Sequence, residues 1–161
     1  MKIVYIDAQN VYMAIKQSGW LIDWKKFYLY LIEKHKVDVI YYTVWYVSTF
    51  NPLYKSLIDI WYVMLFKKTI ILPDGTIKWN VDIDIAIRAV LEMKDSVIEK
   101  GYIVTNDGDY NTLVSTMKSY GVFWELLLPN IKTASRLLKK ECVRMIDLQD
   151  IKHKIQKLPS N

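Results

Sequence analysis

Apolar residues recur along this chain with two different periods, and the segments of each kind alternate. Lys2 to Ile6 is a short β-rich run ended by Asp7, and Asn10 to Ser18 then carries Val11, Ala14 and Ile15 at helical spacing before stopping near Gly19. Asp23 is placed to cap a helix over Trp24 to His35 that has Phe27, Tyr30 and Leu31 on one face. Val37 to Val47 is dense in β-branched and aromatic residues, as a buried strand requires. Leu53 to Phe66 repeats apolar residues at helical intervals (Leu57, Ile58, Trp61, Leu65), which predicts another helix. Thr69 to Trp79 is split by Pro73-Asp74-Gly75, the signature of a hairpin turn. Val81 to Lys100 again predicts helix. Gly101 introduces a strand over Tyr102 to Thr105, Leu113 to Tyr120 is helical with Gly121 as terminator, and Val122 to Leu128 is a strand closed by Pro129.

Strands separated by helices predict an α/β fold with a mainly parallel central sheet, right-handed crossovers and helices on both faces. Ligands of such sheets bind at the carboxyl ends of the strands. Asp7 follows the first strand and Asp107 follows the Tyr102 strand, so two acids far apart in sequence are expected at one edge of the sheet.

The composition fits this picture and removes several alternatives. With 161 residues, 52% of them apolar, the chain has the size and core-forming content of one domain. No apolar run reaches the roughly 18 residues needed to span a bilayer, since Ile58 to Phe66 is short and is followed by Lys67 and Lys68. The stretch before Asp7 is too short for a signal peptide, so a cytoplasmic protein with no membrane partner is expected. Cys142 is the single cysteine, expected as a small core residue, and His35 and His153 stand at no zinc-binding spacing. The formal charge of +5 permits a polyanionic partner. Lys132, Arg136, Lys139 and Lys140 belong to a basic concentration in the last thirty residues or so, which reads either as a solvated basic face or as a phosphate-binding surface.

Three blocks carry the chemistry: Ile6-Asp7-Ala8-Gln9-Asn10, Asn80-Val81-Asp82-Ile83-Asp84, and Thr105-Asn106-Asp107-Gly108-Asp109-Tyr110. Each alone has a structural explanation, as a helix cap, a dipole complement or a turn. Together they are harder to explain that way, because gathered carboxylates repel one another unless a cation neutralises them. Hard oxygen ligands select Mg²⁺ or Mn²⁺, ions that retain water in several positions. Such water, with its pKa lowered, attacks a phosphodiester. On a regular helix Asp82 and Asp84 point about 200° apart, so Asp82 is the first choice, with Asp84 supporting it or complementing the helix dipole. Asn10 offers an amide to hold Asp7 or a water, and Asp109 is open to binding the ion or capping the next helix. An EF-hand starting at Asp107 is excluded, because Thr112 stands where Gly is required and Lys118 where the bidentate Glu is required.

With the blocks in this order, the chain resembles the NYN domains, in particular the LabA-like branch of the PIN-like nucleases. The motifs are Asp7 with Asn10, Val81-Asp82 with Asp84, and Asp107-Gly108-Asp109-Tyr110, and the match spans Met1 to Leu148, leaving 149–161 as a C-terminal basic tail. The resemblance implies a Rossmann-like PIN fold and Mg²⁺- or Mn²⁺-dependent cleavage, usually of RNA. It implies Asp7, Asp82 and Asp107 as the central acids, with Asp84 and Asp109 in support. Three positions depart from the family: Ala8 stands where Gly is common, and Trp79-Asn80 replaces Lys-Gly, with Lys78 one residue away as a phosphate contact.

The competing reading is an inactive RNA-binding or scaffold domain of the same fold, using Tyr41, Tyr42, Trp45 and Tyr46 to stack bases. A Toprim-like site expects Glu where Asp7 stands, and a haloacid-dehalogenase site needs Asp at Gln9. The pattern also leaves open a homodimer through Leu53 to Phe66, an antitoxin partner or a larger RNA-processing assembly.

Overall fold

Strand β1 (Lys2–Asp7) runs through the middle of a six-stranded, wholly parallel sheet. The computed structural model describes residues 1–45, 52–67, 70–71, 73, 77–78, 81–142 and 144–158, and describes the backbone alone at residues 45, 67, 70, 71, 77, 78, 81 and 82. After β1 come α1 (Ala8–Gln17), α2 (Trp24–Tyr30) with a π-helical turn (Leu31–His35), and β2 (Val39–Trp45). Next are α3 (Pro52–Asp59), β3 (Val63–Lys67) and two antiparallel strands, β4 (Ile70–Ile71) and β5 (Ile77–Lys78). The second half holds α4 (Val81–Lys94), β6 (Lys100–Val104), a 3-10 turn (Gly108–Tyr110), α5 (Asn111–Ser119), β7 (Phe123–Leu128), α6 (Arg136–Glu141), β8 (Met145–Asp147) and α7 (Lys152–Ile155). The sheet order is β3-β2-β1-β6-β7-β8. The chain builds outward from β1 to one edge and then returns to build outward from β6, so the order reverses between β1 and β6, where doubly wound sheets open a binding crevice.

Strand alternation divides the core in two. Val4, Ile6, Tyr42, Val104 and Leu127 face the layer of α1 and α2, while Ile3, Tyr5, Tyr41, Ile103, Leu126 and Leu128 face α4 and α5. On the second side Ile85, Ala89 and Met93 form the inward stripe of α4, and Val114 and Met117 that of α5. Tyr41 and Tyr42 are buried on opposite faces, so neither ring stands on the outer surface; the Trp45 side chain and Tyr46 lie outside the described residues. Cys142 is buried in the second core.

Several boundaries differ from the sequence expectation for identifiable reasons. The helix expected through Phe66 ends at Asp59, because Trp61 takes a left-handed backbone conformation and the Tyr62 N–H returns to the Leu57 carbonyl. Val63 to Phe66 then form the edge strand β3. Likewise α4 stops at Lys94: Ser96 is left-handed, the Val97 N–H bonds the Glu92 carbonyl, and the chain uses Val97 to Glu99 to reach β6. The expected hairpin is present as β4 and β5, while Asp74 and Gly75 of its turn lie outside the described residues. Asp23 caps α2 by accepting the Lys26 N–H at 3.1 Å. Beyond Leu148 the chain docks through the fully buried Ile155, with Gln156 bridging Ile22. No helix among the described residues is long and apolar enough to cross a membrane.

Candidate metal and nucleic-acid site

Asp7 ends β1 at the reversal point and is 4% exposed. Because Ile3 and Tyr5 face α4, alternation turns Asp7 to the same side. One Asp7 carboxylate oxygen caps α1, accepting the Asn10 N–H at 3.1 Å. Asn10 then reaches across to the neighbouring strand: its side-chain carbonyl accepts the Asn106 N–H at 2.7 Å and the Thr105 hydroxyl at 3.2 Å. Thr105 in turn accepts the Asp107 N–H at 3.1 Å. Asp7 and Asp107, a hundred positions apart, are therefore joined through Asn10 and Thr105. The expected role of Asn10 is divided between its atoms, the backbone holding Asp7 and the side chain holding the loop after β6.

That loop is folded by its own acids. Asp107 caps the 3-10 turn by accepting the Asp109 N–H at 3.0 Å, while the following helix α5 has Tyr110 at its N-cap and no side-chain cap from Asp109. Asp109 is exposed, and its carboxylate makes no hydrogen bond or ion pair among the described residues. Asn106 anchors the loop from behind: its amide donates to the Thr133 hydroxyl at 2.9 Å and its backbone carbonyl accepts the Ser135 N–H at 3.1 Å. Gly108 is needed for this approach, since a Cβ there would lie 2.6 Å from Ser135 Oγ. Thr105 and Asn106 open the third acidic block of the sequence, but no role was expected of them, and nothing in the sequence pointed to Ser135.

The second acidic block starts α4. A helix that returns the chain to a parallel strand begins at the carboxyl edge of the sheet, so its first turn, with Asp82, lies at that edge, and α4 touches the 3-10 turn. Asp82 precedes the inward-facing Ile85 by one helical turn; its side chain, like that of Lys78, lies outside the described residues. Asp84 is half-buried and lines a shallow depression between α4 and β3 with Phe66, Ile87 and Arg88. Among the basic candidates, Lys132, Arg136 and Lys140 are exposed. Lys132 and Arg136 flank the Thr133 to Ser135 segment that holds Asn106, whereas Lys139 folds inward to donate to the Ile131 carbonyl at 3.1 Å.

Among the described residues no three His, Cys, Asp or Glu side chains are gathered closely enough to hold a metal ion. The chemistry of the donors nevertheless fits a hard divalent cation. All are oxygens, and Mg²⁺ needs only one or two carboxylates beside its waters. Thr43, in register with Asp7 and turned to the same face, keeps a buried hydroxyl with no hydrogen-bond partner among the described residues, an oxygen beside the acid in the adjacent strand.

One layer below Asp7 and Thr43 lies a second polar group. Tyr5 and Tyr41, paired in register and stacked at 5.6 Å, both donate to the buried Glu92 carboxylate at 2.5 Å, and Arg88 Nε donates to it at 2.7 Å. Burial, and then the adjacent Glu92, push the Tyr5 hydroxyl far above the ordinary phenol range, so it remains a donor. This cluster fastens α4 to β1 and β2 beneath the acids.

The sheet is doubly wound, and the loops that carry Asp7 and Asp107 are tied together at its reversal point. The chain belongs to the NYN domain family, which matches residues 2–149, and with it to the PIN-like nuclease superfamily. A solved protein of unknown function from Vibrio parahaemolyticus has the same fold, with a TM-score of 0.77 at 18% identity over 97% of this chain and 95% of the other. No curated protein matches the chain in sequence.

Proposed function

We propose that the chain is a divalent-metal-dependent ribonuclease acting within RNA strands, with Asp7, Asp107, Asp109 and Asp82 as its acids. The observation that supports this reading is the hydrogen-bonded path Asp7–Asn10–Thr105–Asp107, which ties together the two acid-bearing loops at the reversal point of the sheet, where ligands of doubly wound folds bind. A bound Mg²⁺ or Mn²⁺ would lower the pKa of a water and stabilise charge developing on the phosphoryl oxygens. The protein's contribution is orientation. Asp7 and Asp107 are each held by a backbone N–H, Asn10 fixes the distance between their loops, and the exposed Asp109 offers a further carboxylate from the rim. Lys132 and Arg136 supply positive charge near the loop for the phosphates on either side of the cut.

The test is cleavage of end-labelled RNA by purified protein in Mn²⁺, in Mg²⁺ and in EDTA. Metal-dependent internal cuts are expected. RNA binding with no cutting under any metal would leave the inactive RNA-binding domain in place of the nuclease.

A further inference from the structure

On the other face of the sheet, beside the same edge, α1 meets β2, α3 and the segment leading into α2 around a cavity of about 440 Å³. Ala8 and Gln9, the two residues after Asp7, form part of its wall. Tyr12, Trp24, Tyr42 and Tyr54 supply aromatic surface, with Trp24 edge-on to Tyr42 at 4.8 Å. Among its described lining residues there is no acid, and Lys157 carries the only charge. Tyr12 is 48% exposed and stands at the mouth, with the Lys16 ammonium over its ring at 5.6 Å.

We propose that this cavity receives one unpaired nucleobase of a single-stranded nucleic acid whose neighbouring phosphate lies at Asp7 and Asp107, a site that rests on the nuclease reading above. A flat, apolar ring suits aromatic walls, because stacking needs only a π-face and tolerates any base. The adjoining phosphates need cations at the mouth, and Lys157 and Lys16 are there. Gln9, at the end nearest Asp7, has both an amide donor and an acceptor for a base edge. A base held in a duplex is not available to enter such a cavity, so the site selects single strands or loops.

The experiment measures binding in EDTA, where cutting is silent, by the anisotropy of a fluorescein-labelled single-stranded RNA of about ten nucleotides. The proteins are the wild type, Tyr12→Ala, Met13→Glu and, as a charge control on the opposite layer, Ile87→Glu. Tyr12, Met13 and Ile87 are all about half exposed, so the fold should tolerate the changes. Loss of one stacked base weakens binding roughly tenfold in Tyr12→Ala, and a carboxylate at the mouth weakens it at least as much in Met13→Glu. Ile87→Glu is expected to stay within about twofold of wild type, and a fully paired duplex to compete roughly tenfold worse than the single strand. Absence of binding by the wild type, or equal affinity in all four proteins, overturns the proposal. The two readings separate cleanly. Metal-dependent cutting with unmoved affinity in both cavity variants removes the base site and leaves the nuclease, whereas EDTA binding lost in those variants, with no cutting in any metal, removes the nuclease and leaves the base site.

Discussion

The side-chain carbonyl of Asn10 accepts the backbone N–H of Asn106 at 2.7 Å, tying the first turn of α1 to the loop after β6 across the point where the strand order reverses. Asn10→Ala leaves that largely buried N–H and the Thr105 hydroxyl unpaired, at a cost of about 1–3 kcal/mol. Because Asp7 and Asp107 ride on the two loops so joined, cleavage should fall by roughly 10–100-fold, the usual effect of removing a group that orients ligands. Thermal unfolding and cleavage rates measured on the same preparation check both parts. Unchanged cleavage in a folded Asn10→Ala protein would remove the orienting role.

Gly108 is held between two acids and against Ser135. Gly108→Ala must displace Ser135 Oγ from 2.6 Å and crowd its Cβ at 3.1 Å, and is expected to cost about 1–3 kcal/mol as overpacking. Adding Ser135→Ala removes the nearer atom and should recover part of the loss, measured as the denaturation midpoints of the single and double variants.

The parallel α/β plan and the meeting of Asp7 with Asp107 were legible because they follow from alternating periodicity and from the rule that places sites at strand ends. The edge strand β3 was not legible, since Leu53 to Phe66 keeps helical spacing throughout and the break falls at the left-handed Trp61, where no glycine or proline marks it. Thr105, Asn106 and Ser135 act through hydrogen bonds between segments far apart in sequence, which no local pattern encodes. Glu92 was missed for the same reason: its partners Tyr5 and Tyr41 become neighbours only once the register of β1 against β2 is set.

Glu92 accepts three hydrogen bonds from inside the α4 interface. Glu92→Ala strands the buried Tyr5 hydroxyl, while the Tyr41 hydroxyl still accepts from Arg88 Nη2 at 2.7 Å, and should destabilise the protein by roughly 1–3 kcal/mol, the cost of a buried polar group left unpaired. Glu92→Gln should cost less, since the amide oxygen still accepts. Chemical denaturation of the two variants provides the comparison, and an equal loss in both would show that charge rather than acceptance matters here.

Burial pushes the Cys142 thiol up to about 11. At pH 8 the native protein then carries about a hundredfold less thiolate than an unperturbed thiol would, since two pKa units separate them. Because the folded state holds this proton more tightly than the unfolded chain, the contribution to stability is present at neutral pH and is lost as pH rises from about 9 toward 11. Ellman's reagent at pH 8 should react slowly with native protein and rapidly in guanidinium chloride, and fast native reaction would contradict the burial.

If Asp7 and Asp107 form one metal-dependent cleavage site, wild type and Asp107→Asn must differ in their cutting of end-labelled RNA in Mn²⁺ and in EDTA. The asparagine keeps the acceptor that caps the 3-10 turn, so the variant should fold as wild type does by circular dichroism and thermal unfolding. Internal cuts by wild type in Mn²⁺ are expected, and they should vanish in EDTA and in the folded variant. Cutting by Asp107→Asn at the wild-type rate, or wild-type cutting that persists in EDTA, would contradict a single metal-dependent site.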